Sequence, residues 1–273
     1  MTPQRIGILH PGAMGISIAA SAQNTGHHIY WASEGRSAET QARAAKFGLR
    51  DARTLADLCA ECSIILSICP PHAAETVVNQ VLACGFTGLY LDANAIAPRR
   101  AMRLGAAMVE AGASYVDGGI IGTPPVAPGF IRLYLSGPRA GEVRALFDGT
   151  AVAARVVERA GGAGSETEAG AASAVKMAYA SWTKGSAALL LAARALAQAE
   201  GVESVLLDEW GISQPGLEGR WGAAARSASA KGWRWVAEMQ EIAAAMAAAG
   251  LPPGFHQAAA EIYRQQGPRR SAR

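Results

Sequence analysis

Lys176 stands in Gly170-Ala171-Ala172-Ser173-Ala174-Val175-Lys176-Met177-Ala178-Tyr179, a stretch whose other residues are small or apolar. A lysine on such a helix must pair, snorkel or lose its charge. Desolvation drives an ammonium pKa toward neutrality, which suits proton transfer to or from an oxygen or nitrogen. The alternative is a lysine that reaches the surface beside Lys184. Tyr179 at i+3 and Thr183 at i+7 share the helical face of Lys176. Tyr179 is then a second proton donor, or a core tyrosine with a satisfied hydroxyl. Asp117 ends a strand just before Gly118-Gly119 and either orients a substrate or caps a turn. His256 follows Pro252-Pro253-Gly254-Phe255, where it reaches a cleft or serves the packing. Lys231, Trp233, Arg234 and Trp235 form either a wall of a substrate cleft or a packed cluster with a cation–π contact.

A second set of residues suits an anion. Ile6 to Leu9 reads as a short buried strand, followed by His10-Pro11-Gly12-Ala13-Met14-Gly15 and a run, Ile16 to Thr25, that suits a helix. Strand, Gly-rich turn and helix start are how an α/β fold meets a pyrophosphate. The usual G-x-G-x-x-G reads His10-x-Gly12-x-x-Gly15 here, without its first glycine. The end of the second strand, His28 to Trp31, faces an adenosine ribose in such folds, and Ser33, Arg36 and Ser37 look like a clamp for a 2′-phosphate. Glu34 would serve a plain ribose if it turned inward, and Ser37 could simply be an N-cap. NADP(H) is favoured over NAD(H). Cys69 and Pro70, after the strand Ile64 to Ile68, and Asn94, after Leu89 to Asp92, lie at strand ends where ligands sit. Asn94 either bonds ligand or shapes its turn.

These positions imply a frame. Strands and helices alternate to about residue 158: helices Ser37 to Phe47, His72 to Leu82 and Pro98 to Ala111, then strands Ser114 to Gly119, Leu133 to Ser136 and Ala153 to Val157. The pattern predicts an α/β Rossmann domain over 1–160, with a doubly wound, mainly parallel sheet. Beyond Gly161-Gly162-Ala163-Gly164 the chain reads as an all-α domain over 161–266. It would hold one long helix over about 168–200, either whole or interrupted near Gly185, helices Leu217 to Ala230 and Trp233 to Ala249, and a last one from Phe255 to Gln265. A tail, 267–273, is expected to fray.

Half of the 273 residues are hydrophobic and 17% charged, enough for a substantial core, and a net charge of +3 is too small to argue for nucleic acid or an anionic membrane. No apolar run reaches the length of a membrane span, and no signal peptide is visible; thiols read as idle imply a reducing compartment, so a cytoplasmic protein is expected. Cys59 and Cys62 have the CxxC form without a partner pair, so buried or idle thiols are expected rather than a metal site.

The chain resembles the β-hydroxyacid dehydrogenases, the group that includes 6-phosphogluconate dehydrogenase and the imine reductases, over essentially its whole length. Gly7 to Gly15 is similar to the family's N-terminal signature, with His10 in place of a glycine. Arg36-Ser37 resembles its NADP-phosphate pair, Asp117 to Gly122 its substrate motif, and Gly170 to Tyr179 its catalytic helix, which makes Lys176 the general acid/base. The stretch Lys231 to Met239 is similar to a bacterial subgroup with its own helical domain. The resemblance implies a homodimer whose long helices interlock through the helical domain. The chain also departs from the pattern. Ala180 replaces the asparagine four residues after the lysine, Thr183 replaces a glutamate, and Ile121 replaces the carboxylate-binding serine. Tyr115 to Pro125 is closer to the imine reductases, which commonly put an aspartate or tyrosine where Lys176 stands.

The leading expectation is an NADP(H)-dependent oxidoreductase. Hydride would pass between nicotinamide and a hydroxyl or carbonyl carbon of a small, hydroxy-acid-like substrate. Lys176 would move the proton in a cleft between sheet and helical domain, and Asn94, Asp117 and Gly122 would help to shape the substrate site, with Thr183, Trp233 and His256 as further candidates. An imine reductase working on a C=N bond, with Tyr179 or Lys176 as donor, and a non-catalytic NADPH-binding module are the alternatives.

Overall fold

The computed structural model describes residues 2–124, 130–160 and 169–266. The chain divides into two compact units, Met1–Lys176 and Met177–Arg273. In the first, β1 (Arg5–Ile8), β2 (His28–Trp31), β3 (Arg50–Asp51), β4 (Ile64–Ser67), β5 (Leu89–Asp92), β6 (Ser114–Ile121), β7 (Ile131–Ser136) and β8 (Val152–Val156) form one sheet in the order β3-β2-β1-β4-β5-β6-β7-β8. All neighbours are parallel except β6 and β7. The strand order reverses between β1 and β4, the switch point at which doubly wound sheets bind ligand.

The helices are α1 (Ala13–Asn24), α2 (Ala38–Lys46), α3 (Leu55–Glu61), α4 (Ala74–Ala83, after a 3₁₀ turn at Pro71–Ala73), α5 (Pro98–Glu110) and α6 (Ala140–Ala145). Two apolar layers cover the sheet. One gathers Ile6, Ile8, Ile18, Leu66, Leu91 and Val116, and the other Leu58, Ile65, Val78, Tyr90, Leu104 and Met108. Alternate residues of one strand enter opposite layers, as the pleat requires.

α7 (Ala171–Ala199) contributes its first six residues to this unit. The second unit holds the rest of α7, then α8 (Glu203–Ser213), α9 (Leu217–Ala248) and α10 (Gly254–Gln266). Several expectations change here. Residues 217–248 are one helix rather than two. Gly232 is buried inside it, and a Cβ there would lie 3.5 Å from the Tyr263 carbonyl oxygen, an ordinary contact distance, so the helix simply runs on through it. α7 runs unbroken through Gly185, where a Cβ would come within 3.2 Å of the His256 ring. The glycine makes room for the imidazole, and no kink follows. α8 escaped notice because its N-cap, Val202, carries no capping side chain. The expected helix start at 168, the domain boundary at 161 and the tail 267–273 lie outside the described residues.

Candidate functional site

Because β1, β2, β4 and β5 are parallel, their carboxyl ends share one edge of the sheet. That edge gathers His10–Gly15, Ser33–Ser37, Cys69–Pro70 and Asn94. In the first loop the Gly12 N–H donates to the His10 carbonyl at 2.8 Å, and Gly12 caps α1 with no side chain. A Cβ on Gly15 would stand 2.2 Å from the His10 carbonyl oxygen, so only glycine lets α1 begin this close to the strand. A Cβ on Gly12 would meet nothing within 4 Å. The loop is thus tight on its inner side and open on its outer side, where the first-turn N–H groups from Ala13 have no helical carbonyl to bond. Met14 packs against the core. Arg43 of α2 donates to the Pro11 carbonyl at 3.2 Å and pairs with Glu39, pinning the loop from the side.

His10 Nδ1 and Arg36 Nε are both buried without a hydrogen-bond partner. Burial, and then the charge of Arg36, pull the His10 pKa down to about 4. Burial also lowers that of Arg36. Ser37 is the N-cap of α2, its hydroxyl accepting the Thr40 N–H at 3.3 Å. The Ser33 N–H donates to Asp51 at 3.3 Å, and Glu34 is exposed.

Asn94 ties two loops together. Its Oδ1 accepts the Cys69 N–H at 2.5 Å, its Nδ2 donates to the Ser67 hydroxyl at 3.1 Å, and its own N–H donates to Asp92 at 3.1 Å. The Cys69 thiol is pushed up to about 12, mainly by burial. Cys59 and Cys62 close α3, buried, their thiols likewise raised to about 12 by burial first.

Asp117, 1% exposed, is fully engaged. It accepts the Ser136 hydroxyl at 3.0 Å, the Ser173 N–H at 2.8 Å and the Ser173 hydroxyl at 2.5 Å, which makes it a cap for the start of α7. Ser136 also receives the Ala172 N–H at 3.0 Å. Close packing of α7 on β6 depends on Gly119, where a Cβ would meet the Ala172 carbonyl oxygen at 2.5 Å and Lys176 Cβ at 3.1 Å. Lys176 is half-buried, less enclosed than the apolar run around it suggests. It stands beside the part of β6 that runs on past the end of β5. Gly122 has φ +129°, and a Cβ there would strike the Phe130 carbonyl oxygen at 2.0 Å, so its part is in the backbone path.

Within the second unit, Tyr179 is exposed and the Thr183 hydroxyl donates to the Tyr179 carbonyl at 3.1 Å. His256 is buried against Gly185, with Nε2 3.3 Å from the Ser181 carbonyl oxygen. Trp233 is exposed beneath the Arg234 guanidinium, 4.8 Å from the ring centre. Lys184 is paired with Glu238 and lies 5.4 Å from the Trp235 ring centre.

Sequence reasoning passed over Ser136 and Ser173, and Asp92 as more than a strand end. Asp92 lies opposite Asp117 in the parallel register, two residues beyond the pair Tyr90 and Tyr115. Two aspartates on adjacent strands, each two residues after a tyrosine, were the available signal.

By sequence, residues 5–161 match the NAD binding domain of 6-phosphogluconate dehydrogenase, and residues 197–266 match a domain of unknown function, DUF1932. No curated protein matches the chain. Among solved structures, MTH1747, a conserved protein of unknown function with structural similarity to 3-hydroxyacid dehydrogenases, is 23% identical at a TM-score of 0.69, covering 96% of each chain. The 3-hydroxyisobutyrate dehydrogenase of Mycobacterium tuberculosis, solved with L-serine, is 18% identical at 0.68, covering 97% of this chain and 94% of its own. A reductive aminase from Aspergillus terreus, solved with NADPH, cyclohexanone and allyl amine, is 22% identical at 0.58, covering 97% and 93%.

Proposed function

This chain belongs to the dehydrogenase family that carries the NAD binding domain of 6-phosphogluconate dehydrogenase, and we propose that it is an NADP(H)-dependent oxidoreductase of small hydroxy or carbonyl compounds, with Lys176 moving the proton. The observation that carries this reading is the packing of α7 on Gly119. It holds a lysine beside the carboxyl-end extension of β6, on the sheet edge that also bears the glycine loop. The dinucleotide fits the residues present. Gly12 leaves an open approach, Gly15 a tight turn, and Arg36 an unsatisfied nitrogen. Gly12, Ala13 and Met14 would hold the pyrophosphate, and Arg36 with Ser33 and Ser37 the adenosine side. When bound, the nicotinamide supplies or accepts the hydride. Lys176 then gives or takes the proton of the same C–O unit, and the Asp117 cap fixes the helix that carries it.

Reduction of C=N bonds is the second reading. Ile121, which stands in place of a carboxylate-binding serine, is 2% exposed, so it offers a substrate carboxylate neither a hydroxyl nor access. The Aspergillus terreus reductive aminase, solved with NADPH, favours both this chemistry and this cofactor.

We also propose a cytoplasmic homodimer. Trp182, Leu189 and Leu196 recur every seven residues on α7 and are 73%, 56% and 63% exposed, an apolar stripe that a second copy would cover.

The test is NADPH oxidation against aldehydes, 2- and 3-keto acids and cyclic imines, repeated with Lys176→Met. Loss of turnover by roughly 10²- to 10⁴-fold with unchanged NADPH binding is expected for a lost general acid. Intact turnover in that variant would overturn the role of Lys176, and turnover of imines alone would move the substrate class.

A further inference from the structure

The first and second strands of the sheet are neighbours, and the loops that leave their carboxyl ends each hold one buried, unpartnered nitrogen: Nδ1 of His10 and Nε of Arg36. Native proteins satisfy nearly all such groups, because a buried donor without an acceptor costs about 1–3 kcal/mol, and more when charged. A phosphate monoester has three acceptor oxygens and close to two negative charges, and so suits both nitrogens at once. A neutral ribose hydroxyl has neither the charge nor the acceptors.

We propose that His10, at the place of the fingerprint's first glycine, is a specificity-determining contact for the ribose phosphate of NADP(H), and that it takes up a proton as this phosphate arrives. The proposal rests on the NADP(H) reading above. In the free protein, burial and the Arg36 charge both work against a charged imidazole. The phosphate offsets both influences, since it compensates the Arg36 charge and gives a buried imidazolium an anionic partner. On the Arg36 side Glu34 is exposed, and Asp51 accepts the Ser33 and Arg53 N–H groups at 3.3 and 2.7 Å. Arg43 bonds the Pro11 carbonyl with its charge matched by Glu39, and the Cys69 thiol on the β4 side is neutral at pH 7.

The sign follows from linkage. The free His10 is neutral above about pH 4 and the bound one is protonated to a higher pH, so binding takes up protons in between. NADP⁺ affinity therefore falls as pH rises through the bound value. The ligand's own phosphate, with a second pKa near ~6, releases protons on binding. His10→Asn removes the uptake and leaves that release, because the Asn amide is a donor that does not titrate.

The experiment is calorimetric titration at pH 6.5 in two buffers of different ionisation enthalpy, with NADP⁺, adenosine 2′,5′-bisphosphate and NAD⁺. Wild type, His10→Asn and Arg36→Ala are compared, and ¹⁵N-histidine spectra of the wild type are recorded with and without NADP⁺. The expected result is that His10→Asn loses about tenfold in affinity for both 2′-phosphate ligands, as ~1.4 kcal/mol per decade implies for part of a charged hydrogen bond. It should keep its NAD⁺ affinity and take up fewer protons than wild type. The wild-type His10 resonances should move to the imidazolium position only with NADP⁺. Unchanged affinity and proton balance in His10→Asn, with selectivity still lost in Arg36→Ala, would overturn the role of His10 and leave the NADP(H) reading intact. Equal binding of NADP⁺ and NAD⁺ by wild type would overturn both.

Discussion

Ser173 donates both its backbone N–H, at 2.8 Å, and its hydroxyl, at 2.5 Å, to the buried carboxylate of Asp117. A strand residue thereby caps the helix that carries Lys176 three positions later. The cap settles where the helix begins, and Gly119, two residues along the same strand, settles how closely it lies.

Asp117→Ala is expected to remove the acceptor of three hydrogen bonds and leave the Ser173 N–H unsatisfied in the interior. The loss should be roughly 2–4 kcal/mol of unfolding free energy, as for several buried donors left open. Denaturant unfolding measures it. Asp117→Asn, which keeps one acceptor oxygen, should fall between the variant and the wild type.

Gly119→Ala adds a methyl 2.5 Å from the Ala172 carbonyl oxygen, so α7 must move off the sheet. Overpacking of this kind costs about 1–3 kcal/mol. Turnover should fall by more than tenfold while NADPH affinity, measured by fluorescence titration, changes little, because the glycine loop is untouched. A variant that loses cofactor binding instead would contradict this division of labour.

Asp92 carries a pH prediction. Burial first, and then its neighbour Asp117, raise its pKa to about 7 from an ordinary 3.8. A raised acid favours the protonated native state. Its ionisation therefore destabilises the fold progressively as pH rises from about 4 to about 7, and no further above that. Asp92→Asn keeps an oxygen to accept the Asn94 N–H and cannot ionise. It should be more stable than wild type at pH 8, by up to about 4 kcal/mol from the three-unit shift, and no more stable at pH 4. Chemical denaturation at the two pH values decides it.

Leu189→Glu on the exposed stripe of α7 should convert a dimer to a monomer, read by sedimentation, with little change in helix content. A wild type that is itself monomeric would remove the proposed interface.

The alternation of apolar strands with helices made the sheet legible, and the glycine loop was readable because Gly12 and Gly15 keep fixed spacing after a strand. Lys176 stood out as a lone cation among small residues. What stayed hidden depends on distant partners. Asp117 as a cap needs Ser173, 56 residues away, and His256 finds its use only against Gly185. The division of α9 between Ala230 and Trp233 followed the local sequence, and the neighbours that bury Gly232 are in place only once α9 and α10 are side by side. Asn94 was visible as a strand-end amide, but its links to Ser67 and Cys69 come from the neighbouring strand.

The register that sets Asp92 beside Asp117 has a consequence for how the molecule buffers. Histidine is the side chain ordinarily expected to exchange protons near neutrality. In the free protein His10 has been moved to about 4, in carboxylate territory, and burial lowers His27 as well, while Asp92 has been moved to about 7, where a histidine would ordinarily stand. His10 and Asp92 have traded places on the pH scale. An acid–base titration curve would credit to imidazole a proton that belongs to a carboxyl group at the centre of the sheet.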